Sequence, residues 1–402
     1  MDSRLRGNDK LVLRCYMRIA LVHDYIKEYG GAERVLEALH EIWPKAPVYT
    51  TLYFPEFLGP HQQRFKDWKI ITSNLQKIPY VHKLISPCRV LSPWVFENWD
   101  FTGFDVIMVS ATGAYFPNLL VRKPETLHIC YCHTPPRYLY GYPTARDWQK
   151  YAIGRIAGGF INHYLRQTDF ISYQRPDYII TNSNEVKRRV EKFYRREATV
   201  IYPPVDIKIS NFKFQIKSKI QNPKSKKEKE YYLTGGRLAR AKRIDLAIEA
   251  CNKLRLPLKV FGKSFADYGE ELKNFAGPTI EFLGEVSEEE LIKLYQQAKA
   301  LIYPSEQEDF GIIPVEAQSH GVPVIALNQG GVKETVVDGT TGVLFDKPMV
   351  EDLMKAIKRL STKAIKREDC IKNAQKFSKE RFKSEIKNFV DTKFRQQITN
   401  NR

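Results

Sequence analysis

The chain has 402 residues, 43% of them hydrophobic and 27% charged, a globular composition with more length than one ordinary core takes up, so two domains are expected. No stretch approaches the ~20 apolar residues of a membrane-spanning helix, and the polar, basic segment 1–16 lacks the apolar centre of a secretory signal. The formal net charge of +18 bears on partners, not on fold, and admits nucleic acid, an anionic membrane face or a phosphate-bearing substrate.

Residues 1–16 fit no fold element, and Met17 directly precedes the first strand, so Met17 is expected to be the true start. Segment 1–16 holds four basic and two acidic side chains, so +16 of the +18 remains without it. Residues 18–24 (RIALVHD) are a short apolar run, read as a buried strand. Gly30-Gly31 follows, then apolar residues at helical spacing over 32–43, the strand–turn–helix opening of a Rossmann-like unit. Strands are expected at 48–54, 105–110, 126–132, 178–182 and 199–202, with a helix at 185–194, and Pro203-Pro204 closes this half. Segment 206–230, which carries Lys208, Lys213, Lys217, Lys219, Lys224, Lys226, Lys227 and Lys229, reads as a solvated basic linker.

The alternation then restarts. Strands are expected at 231–234, 258–261, 280–283, 300–303, 323–326 and 342–345, and helices at 243–254, 265–275, 288–298, 311–320 and 332–337. Strands alternating with helices of this length build parallel sheets. The expected fold class is therefore α/β, with two Rossmann-like doubly wound domains facing across a cleft, at 17–205 and 231–365. Segment 366–402 is mostly helical. Its stripe of Phe377, Phe382, Ile386, Phe389 and Phe394 needs a surface to pack on, and the segment is expected to return toward the first domain.

In open parallel sheets ligands bind beyond the carboxyl ends of the strands, on the loops. Gly30 and Gly31 precede a helix N-terminus, where backbone can approach an anion closely; the same turn also serves purely structural ends. Gly236, Arg237 and Lys242 open the second half in the same way. Arg offers a planar fork and Lys a point charge to a diphosphate, unless both simply start a solvated helix. Residues 308–316 (EDFGIIPVE) join a strand to a helix. Glu308 falls on the loop and Glu316 in the helix, while Gly311 and Ile312 offer backbone N–H groups. Two carboxylates there can take sugar and ribose hydroxyls. His133 ends a buried strand and precedes Thr134-Pro135-Pro136, a rigid turn. Six scattered cysteines (Cys15, Cys88, Cys130, Cys132, Cys251 and Cys370) read as reduced thiols. The C-x-C-H spacing at Cys130, Cys132 and His133 lacks a second ligand pair, so no metal site is expected. Residues 137–175 interleave aromatic side chains such as Tyr138, Tyr140, Tyr164 and Phe170 with Arg137, Arg155 and Arg166. They form either a lobe that meets an acceptor and an anionic membrane or a packed helix with solvated arginines.

Several segments occur together in one order: GGRLARAKRID, then the E-x7-E pair Glu308 and Glu316, then GGVKETVVDGTTGVLF. This half resembles the donor domain of glycosyltransferase family 4, retaining enzymes of the GT-B fold. RIALVHDYIKEYGGAERVLEALHEIWPKAPVYT and CHTPPRYLYGY are similar to a subgroup that includes bacterial O-antigen mannosyltransferases. The resemblance implies a nucleotide-sugar donor, with GDP-mannose favoured over a UDP-sugar, and a glycan or lipid-linked saccharide acceptor. It implies no metal and no other cofactor, and a part in cell-surface polysaccharide synthesis; the reduced cysteines point to the cytoplasm, and the basic and aromatic side chains admit peripheral attachment to the inner face of the membrane. It assigns Gly31, Arg237 and Lys242 to the diphosphate, Glu308 to the transferred sugar, Gly311 and Ile312 to donor oxygens, Glu316 to the ribose and His133 to the reacting sugar. Members often carry glycine after the motif lysine, where this chain has Arg243; that arginine would add charge near the phosphates or face solvent. Rival readings are a nucleotide-sugar epimerase, against which the E-x7-E segment argues, an inactive scaffold, and a nucleic-acid-binding protein, for which no signature is present.

Overall fold

The computed structural model describes residues 17–142, 152–207, 231–265 and 268–400, with side chains from 158 onward in the helix Ala152–Ser172. The expected extension 1–16 and nearly all of the basic linker, 208–230, lie outside the described residues, as do Arg146, Trp148, Lys150, Tyr151 and the side chain of Arg155. The described chain forms two compact units. The first takes residues 17–140, 152–204 and 382–400, and the second takes 141–142, 205–207, 231–265 and 268–381.

The first unit is a seven-stranded sheet, β1 (Ile19–His23), β2 (Val48–Thr50), β3 (Ile70–Thr72), β4 (Val106–Ala111), β5 (Leu127–Cys132), β6 (Tyr178–Thr181) and β7 (Thr199–Val200), in the order β3-β2-β1-β4-β5-β6-β7. The second is a six-stranded sheet, β8 (Tyr231–Gly235), β9 (Leu258–Phe261), β10 (Ile280–Gly284), β11 (Ala298–Tyr303), β12 (Val324–Leu327) and β13 (Gly342–Phe345), in the order β10-β9-β8-β11-β12-β13. All pairings in both sheets are parallel. The fold is α/β with two doubly wound domains. Strands such as β1, β4, β5 and β8 are buried along their whole length, because helices cover both faces of a parallel sheet. That is why they read as unbroken apolar runs.

The departures from the expected elements have local causes. The strand expected over 48–54 ends at Thr50, and beyond it Leu52 and Phe54 pair with Ile26 in the loop after β1, Ile26 N to Leu52 O and Phe54 N to Ile26 O, both 2.9 Å. Pro55 then starts a short 3-10 turn. β3 has three half-buried residues and no apolar run to announce it. The helical segment from 366 is two helices, Arg367–Gln375 and Lys379–Asn400. At the break Phe377 O accepts Val205 N at 2.9 Å, and Ser378 Oγ accepts Arg381 N at 3.3 Å. The apolar stripe divides accordingly. Phe377 packs its ring on Phe310 at 5.4 Å in the second unit. Phe382, Ile386 and Val390 are fully buried in the first unit's core beside Leu127 and Tyr131, with Phe389 and Phe394 against it.

The helix Ala152–Ser172 brings a carboxyl group into the first unit. Asp169 is 1% exposed. Its Oδ2 accepts the hydroxyls of Tyr140 and Tyr194, each at 2.7 Å, and the Tyr194 ring stacks on Tyr173 at 3.9 Å. Burial outweighs those two donors and pushes the carboxyl up to about 7. From about pH 4 to that value the folded chain holds a proton that the unfolded chain releases. Stability therefore falls as pH rises across the window and levels off above it. Asp169→Asn keeps an acceptor for both tyrosines without the titration. Urea midpoints from pH 5 to 8 are expected to fall more steeply in the native protein than in Asp169→Asn, with a difference of a few kcal/mol at most. Parallel curves would show that Asp169 does not bear this proton.

Candidate functional site

In each sheet the strand order reverses once, between β1 and β4 and between β8 and β11. Ligands of doubly wound sheets bind at such switch points, outside the carboxyl ends. The expected site residues fall there.

In the first unit His23 ends β1, Ser110 lies in the last turn of pleat of β4, and His133 follows β5. They form a buried row. His23 Nδ1 lies 3.1 Å from Ser110 Oγ, and Ser110 Oγ lies 2.9 Å from His133 Nε2. The other His23 nitrogen, Nε2, faces Glu33 Oε1 at 3.7 Å. Glu33 is in the first turn of the helix Gly31–Ile42, and its Oε2 accepts the Gly30 N–H at 2.9 Å. Gly30 is the N-cap with φ −116°, so no left-handed backbone calls for glycine here. His133 O accepts Asn182 Nδ2 at 2.8 Å, which ties the histidine to the end of β6. Burial, reinforced by His23, holds the His133 imidazole down at about 3, so it is neutral at ordinary pH. Beside it, Asp24 Oδ2 accepts Thr112 Oγ1 at 2.5 Å and the N–H groups of Thr112, Ala114 and Tyr115 at 3.2, 3.0 and 3.2 Å. That carboxyl stitches the end of β1 to the loop after β4, and burial pushes its pKa up.

In the second unit the loop after β11 carries Glu308. Its Oε2 accepts three donors: Lys242 Nζ at 2.5 Å, Ser305 Oγ at 2.6 Å and Tyr303 Oη at 3.0 Å. Lys242 Nζ also donates to Tyr303 Oη at 3.1 Å. The loop backbone is fixed as tightly. Glu306 N donates to Ala241 O at 3.0 Å and Gly331 N to Glu308 O at 2.7 Å. Gly330 has φ +64°, and a Cβ on it would come within 2.2 Å of Glu308 O. Gly236 has φ +110°, and a Cβ on it would meet Ile313 Cδ1 at 2.4 Å, so a packing constraint accounts for this glycine. Gly311, at φ +93°, precedes the helix Ile312–Ser319, in which Glu316 is half-buried.

The structure therefore brings Lys242 and Glu308 together. Arg237 is exposed, with its guanidinium carbon 5.9 Å from the Phe265 ring centroid. Gly31 is exposed at the start of its helix. Arg243 is tied down within its own loop system. Its φ is +49°, the conformation that glycine adopts freely. Its side chain is half-buried and paired with Asp245 at 3.0 Å and with Glu306, so its charge is neutralised within the loop system. Sequence reasoning did not single out Tyr303, Ser305, His23, Ser110, Asp24 or Glu33, which hold the chosen residues in place. The glycine pair Gly330-Gly331 stood in a quoted motif without a role.

Comparison with known proteins gives the same partition. The family model for Glycosyltransferase Family 4 matches residues 29–209, and that for Glycosyl transferases group 1 matches residues 215–377. An alpha-1,3/1,6-mannosyltransferase of Kluyveromyces lactis is 27% identical over 315 residues, covering 68% of this chain and 58% of that protein. The human protein of the same description is 26% identical over 316 residues, covering 71% and 73%. The chain thus spans less than two thirds of the Kluyveromyces relative's length. Among solved structures, the Anabaena protein HepE in complex with UDP superimposes with a TM-score of 0.64 at 18% identity, covering 94% of this chain and 100% of that one. Sucrose-phosphate synthase from Thermosynechococcus elongatus gives 0.68 at 18%, covering 95% and 100%.

The clamp on Glu308 generates a test. Gly330→Ala puts a methyl group against Glu308 O at a left-handed position, a strain of more than about 1 kcal/mol. It is expected to weaken nucleotide-sugar binding in calorimetry at least about fivefold, with the far-ultraviolet circular dichroism retained. Unchanged affinity would mean that the loop's position does not govern binding.

Proposed function

The chain belongs to glycosyltransferase family 4, and we propose that it moves a hexose, mannose from GDP-mannose, with retention of configuration, onto a glycan or lipid-linked saccharide of the cell surface. The observation that carries this reading is Glu308, fixed by three donors on one oxygen at the carboxyl end of β11. A carboxylate held so firmly orients hydroxyls of a sugar without first being ordered itself. Lys242, already bound to it, supplies positive charge for the departing diphosphate together with Arg237. Gly311 and Ile312 offer N–H groups to donor oxygens, and Glu316 offers its carboxylate to the ribose. Gly31 and His133 are assigned to the diphosphate and the transferred sugar. No protein nucleophile is required when the leaving phosphate assists the incoming hydroxyl, so the protein's part is orientation and charge stabilisation. The cations take the place a metal would otherwise fill.

The relatives named as mannosyltransferases support mannose. A UDP-sugar donor is the second reading, favoured by HepE, whose structure holds UDP. No helix among the described residues is long and apolar enough to cross a membrane. The helix Ala152–Ser172 presents Phe160, Ile161, Tyr164, Phe170 and Ile171 exposed beside Arg166, which suits peripheral attachment to an anionic cytoplasmic membrane face.

Calorimetry of the protein with GDP-mannose, UDP-glucose and UDP-N-acetylglucosamine, without metal, is expected to show selective binding of GDP-mannose. Binding of a UDP-sugar instead selects the second reading, and no binding at all removes the donor assignment. Glu308→Ala and Arg237→Ala are each expected to lower transfer by a factor of 100 or more, on the order of an oxyanion-hole donor, while the protein stays folded. Glu316→Ala is expected to weaken donor binding about tenfold with a smaller change in kcat. Near-native turnover in either of the first two would overturn the site.

A further inference from the structure

The row Glu33, His23, Ser110 and His133 contains one undetermined feature, the direction of its hydrogen bonds. Ser110 Oγ carries one proton and sits between two ring nitrogens, His23 Nδ1 at 3.1 Å and His133 Nε2 at 2.9 Å. With one proton on each ring, the hydroxyl either relays between the rings in one of two directions or accepts from both and donates elsewhere. In the two relays, His23 donates to the serine, which donates to His133, or His133 donates to the serine, which donates to His23. Exposures of 0% for His23 and Ser110 and 9% for His133 leave the choice to protein neighbours and not to bulk water.

The far end decides it. His23 Nε2 faces Glu33 Oε1 at 3.7 Å, and a carboxylate oxygen attracts an N–H and repels a lone pair. His23 therefore carries its proton on Nε2 and accepts on Nδ1. The serine proton must point at that Nδ1, and Ser110 Oγ accepts from His133 Nε2–H. One proton on each ring and one on the hydroxyl then satisfy both hydrogen bonds of Ser110. We propose that Glu33, through His23 and Ser110, fixes His133 in the Nε2–H tautomer, so that His133 presents Nδ1 as a hydrogen-bond acceptor for a sugar hydroxyl. This rests on the reading that His133 meets the transferred sugar. Glu33, His23 and Ser110 are then positioning residues. The low proton affinity of His133 agrees with this, since an imidazolium would have no acceptor to offer.

Glu33 is also the handle for the test. Its Oε2 is committed to the Gly30 N–H at 2.9 Å. In Glu33→Gln the amide oxygen keeps that bond, which turns the NH2 toward His23. His23 Nε2 must then accept, and each hydrogen bond in the row reverses. His133 changes to the Nδ1–H tautomer and loses its acceptor toward the sugar.

The experiment uses the full chain with nitrogen-15 histidine. Two-bond proton–nitrogen spectra report which ring nitrogen bears the proton, and the His133 signals are those lost in His133→Gln. The native protein is expected to show His133 as Nε2–H, and Glu33→Gln as Nδ1–H. Ser110→Ala, which cuts the row, is expected to give a mixture that Glu33→Gln no longer alters; this second variant decides the matter if Glu33→Gln alone does not fold. Steady-state transfer is expected to lose about tenfold in kcat/KM in Glu33→Gln, on the order of one hydrogen bond to the substrate. An Nδ1–H signal in the native protein, or a His133 tautomer indifferent to Glu33→Gln, would overturn the proposal. If the protein transfers no sugar from any donor, the family-based reading of the site falls, while the nitrogen spectra still decide the tautomer.

Discussion

Both sheets are parallel throughout, and that single constraint arranges everything else. A parallel strand cannot return to its neighbour by a tight turn, so each connection crosses a sheet face, and all strands of a sheet end on one side. The polar residues at those ends then have few places to go. At the β1/β4 reversal they become a buried row and a stitched carboxyl, Asp24. At the β8/β11 reversal they become a carboxylate held by lysine, tyrosine and serine. In both cases backbone groups and side chains of neighbouring loops satisfy what the sheet leaves unpaired. The result is a set of candidate site groups whose orientations are fixed by the protein itself.

The parallel architecture was legible in the sequence because burial on both faces leaves uninterrupted apolar runs. β1, β4, β5, β9 and β13 are found within a residue of where those runs lie. Ends were less legible where backbone pairing continues into a loop, as between Ile26 and Phe54, or where the chain breaks a helical pattern at Ser378. The helix Val350–Ser361 was overlooked although its buried residues Val350, Leu353, Ala356, Ile357 and Leu360 keep helical spacing; the signal was present.

The candidate site was legible in its charged members and opaque in their supports. Glu308 and Lys242 could be chosen from a motif, but nothing in the spacing of Tyr303 and Ser305 says that both aim at one oxygen. His23, Ser110 and Glu33 are far apart in sequence and meet only because β1 and β4 are neighbours. Arg243 shows the same limit. The family habit of glycine marked a backbone constraint, and the left-handed φ of Arg243 shows that the constraint persists here with another residue, offset by pairing with Asp245 and Glu306.

The divided stripe of the C-terminal segment bears on how the chain comes off the ribosome. The second unit's core clusters are complete in the chain once residue 365 has emerged. The first unit, which opens the sequence, draws Phe382, Ile386 and Val390 from its last turns. Domains commonly fold in order of synthesis, the N-terminal one first. Here the order is inverted at one step: the sheet that is translated first keeps an apolar face of β1 and β5 unsealed until the second unit's residues have been made. Residues made after the second unit close the domain made first.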